Sequence, residues 1–197
     1  LGAATYPLEF DGLKINLVDT PGDQSFTAEA LNAMRACDAV IVLVSGPDGV
    51  QVGTTALFDD VRALGLPVAF VVTKLAREHA DFDAVVTDIA ARLDVRTSIL
   101  TFPVGKEGAF TRVVDVLRGN YFTVNGERER GPLPDVPVDV KERVKDLHRE
   151  LVENIAEHDD TLIEKYLGGQ ELTTQEVARA LAIGTRHQTI FPVFAVC

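Results

Sequence analysis

The chain has 197 residues, of which 46% are apolar, a proportion typical of a globular protein with a sizeable core. No apolar run approaches the roughly 20 residues that a membrane-spanning helix needs, which argues against membrane attachment through such a helix. Lys and Arg number 19 against 30 Asp and Glu, and this net charge of −11 disfavours a broad contact with nucleic-acid phosphates through this chain alone.

The cysteines and the first residues indicate the compartment. Cys37 and Cys197 form no C-x-x-C motif, which favours a reducing environment. Residues 1–4 lead into a strand pattern and not into the charged and apolar regions of a signal peptide. We therefore expect a cytoplasmic protein whose N-terminus is cut from something larger.

Up to residue 93 the sequence alternates between strand and helix patterns, which predicts a mostly parallel sheet covered by helices. The pair Asp11-Gly12 predicts a tight hairpin between the first two strands. The run 39–44 is wholly apolar, as expected of a parallel strand that is buried on both faces. The predicted strands cover residues 5–10, 13–18, 39–44 and 68–73, and the predicted helices cover residues 25–36, 51–64 and 81–93.

From residue 94 the pattern changes to shorter strands followed by amphipathic helices. A charged, proline-bearing connector at 125–137 predicts an exposed loop, and Thr173 with Glu176 predicts a helix cap. The predicted strands cover residues 98–104, 111–117, 121–124 and 190–197, and the predicted helices cover residues 140–158, 160–167 and 174–184.

The stretch after the second strand, Val18-Asp19-Thr20-Pro21-Gly22, is the most informative in the chain. An aspartate at the end of a buried strand, three residues before a glycine, is typical of P-loop GTPases. There the carboxylate holds a water of the Mg²⁺ shell and the glycine amide donates to the terminal phosphate. Pro21 and Gly22 impose a tight turn, which makes the motif more specific than a bare D-x-x-G. The competing interpretation is an ordinary strand-end turn with a helix cap.

Seven short motifs follow one another in a fixed order. They are VDTPG at 18–22, MRACDAV at 34–40, GPDGVQ at 46–51, VTKL at 72–75, ADF at 80–82, IEKYL at 163–167 and IFPVF at 190–194. Their order and spacing resemble those of translational GTPases of the elongation factor G family, over essentially the whole chain. Because several functional positions depart from the family pattern, the chain is more similar to the paralogues of that family than to the housekeeping factor.

The resemblance implies an α/β fold with a P-loop NTPase-type, mostly parallel sheet and an inserted α/β subdomain. It divides the chain into a partial GTPase core at 1–93, the insertion at 94–188 and a returning strand at 189–197. It also implies binding of GTP or GDP with Mg²⁺, and GTP hydrolysis on the ribosome. The insertion would contact ribosomal stalk proteins, and neither DNA binding nor a membrane partner is implied.

The resemblance also assigns residues to the site. Asp19 would hold Mg²⁺ through a water, Gly22 would contact the terminal phosphate, and the Lys74 side chain would pack on the guanine base. The positions assigned to nucleotide binding are Asp19, Thr20, Pro21, Gly22, Thr73, Lys74 and Ala76.

A phosphate-binding loop, G-x-x-x-x-G-K-[ST], is absent from the sequence. Gly105-Lys106 is the only Gly-Lys pair, and it lacks both the upstream glycine and the following Ser or Thr, so Lys106 is expected to be a loop lysine. The family places its phosphate loop before the residues that match 5–10, so we expect it upstream of Leu1. As written, the chain should hold a nucleoside triphosphate poorly.

Two further positions depart from the family pattern. Asp23 stands where the family has a histidine that orients the attacking water, and a carboxylate there would repel the developing phosphoryl charge. Asp23 is therefore either a sign of changed or silenced hydrolysis, or a cap for the next helix, and both can hold. Ala76 stands where the family has the aspartate that reads guanine, which removes a contact of about 3–5 kcal/mol.

Two functions remain open at this stage. The first is a GTPase domain of an elongation factor G-like protein. The second is a degenerate GTPase-like module that binds the ribosome or another protein without nucleotide turnover. The intact residues 19–22 favour the first function, whereas Asp23 and Ala76 favour the second.

Overall fold

The computed structural model describes residues 2–123, 130–132, 136–157 and 160–196. Within these ranges the strands are β1 (Ala4–Phe10), β2 (Leu13–Asp19), β3 (Val40–Ser45), β4 (Val68–Thr73), β5 (Thr97–Ile99), β6 (Thr101–Val104), β7 (Arg112–Asp115), β8 (Asn120–Thr123), β9 (Arg130–Pro132) and β10 (Phe191–Ala195). The α-helices are α1 (Thr27–Met34), α2 (Val52–Ala63), α3 (Phe82–Leu93), α4 (Val138–Ala156), α5 (Asp160–Leu167) and α6 (Thr174–Arg186). None of these helices has the length and apolar character required to cross a membrane.

The central sheet has four parallel strands in the order β3-β4-β10-β5. Its core centres on three aromatic rings, since Phe58 of α2 packs between Phe70 of β4 and Phe191 of β10 with centroid distances of 5.6 and 5.8 Å. All three side chains are at most 2% exposed. The predicted α/β fold with a mostly parallel sheet is therefore confirmed.

The predicted hairpin forms a separate two-stranded sheet. β1 and β2 pair antiparallel from Ala4–Asp19 to Phe10–Leu13. Asp11 and Gly12 both adopt positive φ, 50° and 75°, as a two-residue turn with the right-handed twist of the strands requires. Among the described strands, β2 pairs only with β1 and makes no ladder with the central sheet.

The second half of the chain builds another antiparallel sheet, in the order β6-β7-β8-β9. The prediction of one strand over residues 98–104 is wrong, because the segment divides at Leu100 between the two sheets. Leu100 donates its amide to the Val193 carbonyl of the central sheet at 2.9 Å and accepts from the Val116 amide beyond β7, also at 2.9 Å. As a result β5 belongs to the central sheet and β6 to the second one.

Three other predictions need correction, and some further ones fall outside the described ranges. Residues 130–132, predicted as part of a loop, form β9 because they pair with β8. The first helix begins later than predicted, at Thr27, after a 3-10 turn over Gln24–Phe26. β3 is not buried on both faces, since Ile41 and Leu43 are 55% and 64% exposed. The predictions for 124–129, 133–135, 158–159 and 197 lie outside the described residues.

Helices α4, α5 and α6 share a second apolar core, and α6 returns the chain to the central sheet. Gly184 of α6 lies against Ile190, because a Cβ at that position would stand 2.7 Å from Ile190 Cδ1. The predicted cap of α6 is confirmed as a capping box, in which the Thr173 hydroxyl accepts from the Glu176 amide and the Glu176 carboxylate accepts from the Thr173 amide at 2.9 Å.

The carboxylate of Glu176 supplies a test of this helical unit. It also accepts from the Lys165 ammonium, and this bond, followed by the bonds from Thr173, lowers its pKa from 4.5 to about 2. Because folding lowers this pKa, the stabilisation is complete above pH 4.5, declines as the pH falls from 4.5 toward 2, and is lost once the folded form is protonated.

We therefore expect Glu176→Gln to destabilise the chain near neutral pH and to differ less from wild type as the pH falls below 4.5. The measurement is the urea midpoint between pH 7 and pH 3, with Glu164→Gln on the exposed face of α5 as the control. If the difference in urea midpoint between wild type and Glu176→Gln stays constant from pH 7 to pH 3, the stabilising role assigned to the charged Glu176 carboxylate is wrong.

Candidate functional site

One half of the site predicted from the sequence, residues 73–76, falls at the carboxyl edge of the central sheet. β3 and β4 are in register from Val40–Val68 to Ser45–Thr73, so the two strands end side by side. The Gly46 amide then donates to the Thr73 carbonyl at 2.8 Å. A Cβ on Gly46 would lie 3.0 Å from that carbonyl oxygen and 3.2 Å from the Ala80 Cβ. This close approach favours glycine at position 46. The loops after the two strands are thus packed against each other.

The three residues assigned to base binding stand at this edge. The Thr73 hydroxyl lies 3.4 Å from the Val44 carbonyl, within hydrogen-bonding distance. Lys74 adopts a positive φ of 58°, and its ammonium lies 4.0 Å from Asp48 in the loop after β3. Both side chains are more than half exposed, so this ion pair contributes at most about 1 kcal/mol and leaves the lysine available to a ligand. Ala76 is exposed in the following turn.

The loop after β3 is braced from the neighbouring helix α3. The Asp88 carboxylate accepts from the Val50 amide at 2.9 Å, and it also pairs with Arg92 Nε at 2.8 Å. Arg92 in turn donates to the Val50 carbonyl at 2.7 Å. Because Val50 is only 1% exposed, these bonds satisfy backbone groups that water cannot reach easily. This brace was not predicted from the sequence, although an Asp and an Arg four residues apart on a helix signal such a pair.

Asp81 and Asp83 follow residues 73–76, which the sequence assigned to base binding, and both are engaged within the chain. Asp81 caps α3 by accepting from the Ala84 amide at 3.1 Å, and it pairs with Lys106 at 2.8 Å. The Lys106 bond, followed by the Ala84 bond, lowers the pKa of Asp81. Asp83 pairs with Arg143 of α4. Lys106 is therefore a loop lysine that ties the second sheet to α3, as expected.

The other predicted group, residues 19–22, lies at the end of β2. Asp19 is the last residue of that strand and is exposed, Thr20 and Pro21 are half-buried, and Gly22 has open space around it. Within the described part of the chain, no hydrogen bond or ion pair joins this group to residues 73–76. The two halves of the predicted site are thus presented on separate sheets.

Asp23 caps the 3-10 turn that precedes α1 and not α1 itself, whose N-cap residue is Phe26. Its carboxylate accepts from the Ser25 amide at 2.8 Å, and its carbonyl accepts from the Phe26 amide at 2.9 Å, where the 3-10 turn begins. The two bonds from Ser25 lower the pKa of Asp23, so the carboxylate is charged at neutral pH. A fixed negative charge therefore stands one residue after Gly22.

A groove of about 530 Å³ separates the hairpin from the central sheet. Residues 14–18 of β2 line one wall, and the end of α1 with the start of β3 lines the other. Its rim carries exposed apolar side chains, with Ile15 at 36%, Leu17 at 44% and Ile41 at 55% exposure. Among the described strands, β3 pairs with β4 alone, so its second edge is open toward this groove. The groove was not predicted from the sequence.

The described residues meet only part of what a magnesium nucleotide needs. They contain no group of three or more His, Cys, Asp or Glu side chains arranged to hold a metal ion. A lone carboxylate such as Asp19 suits Mg²⁺ only where phosphates and waters complete the octahedron. Asp19 therefore fits as one side of such a site, and the sequence contains no G-x-x-x-x-G-K-[ST] loop to form the other.

With this geometry established, the class of protein follows from comparison with known families. Residues 2–196 match the elongation factor Tu GTP binding domain. The chain belongs to that family of GTP-binding domains.

Two individual proteins are similar to the chain in sequence or structure. Over 183 residues, or 92% of the chain, the sequence is 34% identical to elongation factor G 1 of Bdellovibrio bacteriovorus, of which it covers 26%. A crystal structure of a protein from Thermus thermophilus matches with a TM-score of 0.89 at 34% identity, covering 99% of this chain and 29% of that one. The chain thus spans somewhat over a quarter of these relatives. The resemblance to elongation factor G drawn from the motifs is confirmed.

The brace on the loop after β3 gives a prediction. Asp88→Ala leaves the buried Val50 amide without its acceptor, and we expect a loss of about 1–3 kcal/mol in unfolding free energy. The measurement is urea denaturation of this chain. Asp59→Ala, an exposed carboxylate on α2, is the control and should change stability by less than about 0.5 kcal/mol. An equal loss of unfolding free energy in Asp88→Ala and Asp59→Ala would show that the bonds from Asp88 do not stabilise the loop after β3.

Proposed function

We propose that this chain is the GTP-binding domain of an elongation factor G-like translation factor, whose longer form binds GTP and hydrolyses it on the ribosome. The observation that carries the proposal is the shared end of β3 and β4, where the Asp48 loop and Lys74 meet at one sheet edge. Ligands of open α/β sheets bind at such carboxyl edges. The family membership of residues 2–196 supports the same function.

The proposal divides the chain into a GTPase core at 1–93, an insertion at 94–188 and a returning strand at 189–197. The pairing of β10 with β4 supports the last of these assignments. Because β5 pairs with β10 in the central sheet, we place the start of the insertion nearer residue 100.

The nucleotide would be held by residues from both sheets. Asp19 would bind Mg²⁺ through a water, with Thr20, Pro21 and Gly22 beside the terminal phosphate, and Thr73 and Lys74 would receive the base. When bound, GTP and Mg²⁺ supply the phosphoryl group and the charge neutralisation that hydrolysis needs. The open edge of β3 supports a further strand, carrying the phosphate loop, in the groove beside β2.

The remaining assignments follow from the same proposal. The domain would act in the cytoplasm with the ribosome as its partner, and the insertion would contact the stalk proteins. The net charge of −11 supports protein contacts here, since it opposes a broad contact with the RNA backbone.

Two observations favour a second function, a degenerate GTPase-like module that binds the ribosome or another protein without turnover. Asp23 keeps a negative charge beside the position proposed for the terminal phosphate. Ala76 offers no acceptor to a guanine base, and Asp81 and Asp83 are already engaged with Lys106 and Arg143.

Titration of the full-length protein with a fluorescent guanine nucleotide separates the two functions. The proposal expects dissociation constants below about 1 mM that depend on Mg²⁺ and rise at least tenfold in Asp19→Ala. Binding that is absent at millimolar nucleotide would overturn the proposal and favour the degenerate module.

The base-binding position gives a prediction of its own. Ala76 is exposed, so Ala76→Asp introduces a carboxylate without a steric clash and restores an acceptor for the two guanine donors. We expect the preference of the full-length protein for GDP over ADP to rise on the order of 100-fold. The control is Ala76→Asn, which has a similar size but a donor in place of one acceptor. Its preference for GDP over ADP should rise little. An equal gain in both variants would contradict the assigned role.

A further inference from the structure

A second cavity lies in the α-helical part of the chain, away from the site described above. It has a volume of about 660 Å³, within the range of small-molecule pockets. Its walls are the turn between β7 and β8, one face of α4 and the segment that follows α5. It shares no lining residue with the groove beside β2 or with the loops after β3 and β4.

The rim of this cavity is basic in a chain that is strongly acidic. Three of its lining residues are Lys or Arg, a fourth is His148, and one, Glu171, is acidic, whereas the whole chain has 19 Lys and Arg against 30 Asp and Glu. The basic residues are Arg118, Lys145, His148 and Arg149. This local reversal of charge favours an anion over a cation as the occupant.

Two of the basic residues are already paired and two are not. Arg118 pairs with Asp115 at 3.3 Å, and Arg149 pairs with Asp146 at 2.9 Å. In the part of the chain that the structure describes, the side chains of Lys145 and His148 have no hydrogen-bond or ion-pair partner.

The floor of the cavity is apolar. Val116, Val144 and Val152 lie beneath it and are already buried, with exposures of 1%, 6% and 7%, so the apolar surface left open to a ligand comes from the half-buried Leu117, Tyr166 and Leu172. The ring of Tyr166 completes the wall, and its hydroxyl donates to Glu153 at 2.7 Å, which fixes the ring. An inorganic ion would contact the rim and leave this surface wet, whereas an apolar body would cover it.

We propose that this cavity binds an amphipathic organic anion, in which an apolar body rests against Leu117, Tyr166 and Leu172 and a single anionic group lies between Lys145 and His148. The apolar body supplies most of the binding energy, and the two unpaired basic side chains select for the anionic group.

The test uses two dyes that share one aromatic body. Anilinonaphthalene sulfonate carries an anionic group, and N-phenylnaphthylamine is its neutral counterpart. Both are titrated into the 197-residue chain by fluorescence, and the binding position of the sulfonate is mapped by amide NMR. The proposal expects tighter binding of the sulfonate, with shifts at the turn over residues 116–119 and at Glu171.

Charge variants test the role of the rim. Lys145→Gln and His148→Gln should each weaken the sulfonate about threefold to fivefold and leave the neutral dye unchanged. Arg179→Gln, on the exposed face of α6, removes the same charge as Lys145→Gln and should change the affinity for neither dye. Leu172→Glu, which places a charge on the apolar border, should weaken both dyes.

Three results would overturn the proposal. One is equal affinity for the two dyes in the wild-type chain. Another is an equal loss of sulfonate affinity in Lys145→Gln and Arg179→Gln, which would indicate a general effect of charge. The third is sulfonate-induced NMR shifts confined to the groove between β2 and β3, which would show that the dye binds only that apolar surface.

Discussion

The ladder between β3 and β4 runs in parallel from Val40–Val68 to Ser45–Thr73, and the position of the site depends on it. Because both strands stop at the same level, the loops that follow them meet, and the Gly46 amide bonds directly to the Thr73 carbonyl. The brace from Asp88 then holds the first loop, and the left-handed backbone at Lys74 turns the second one. A one-residue slip would send these side chains to the opposite face of the sheet.

Local patterns were enough to predict many of the elements. The hairpin followed from Asp11-Gly12, and β4 and α5 have the predicted bounds because turn residues or capping signals flank them. The break at Leu100 was not predictable, since it arises from bonds to two partners that are distant in sequence. The same holds for β9, whose strand character comes from its pairing with β8 and not from its composition.

The site was predicted as a set of residues but not as an arrangement. Its two groups were identified by motif, yet they stand on separate sheets, because β2 makes its ladder with β1 and β3 makes its ladder with β4. The wholly apolar run 39–44 predicted burial on both faces, whereas Ile41 and Leu43 of β3 are more than half exposed. We propose that a further strand pairs with the open edge of β3 in the groove beside β2.

Amide hydrogen exchange at β3 tests this account most directly. The Val40 amide donates toward β4, to the Pro67 carbonyl at 2.9 Å, so in a parallel ladder the Ile41 and Leu43 amides point toward the open edge. We predict that these two amides exchange rapidly in the 197-residue chain and at least about 100-fold more slowly in the full-length protein. Equal exchange rates in the two proteins would contradict the proposal that a further strand completes the sheet.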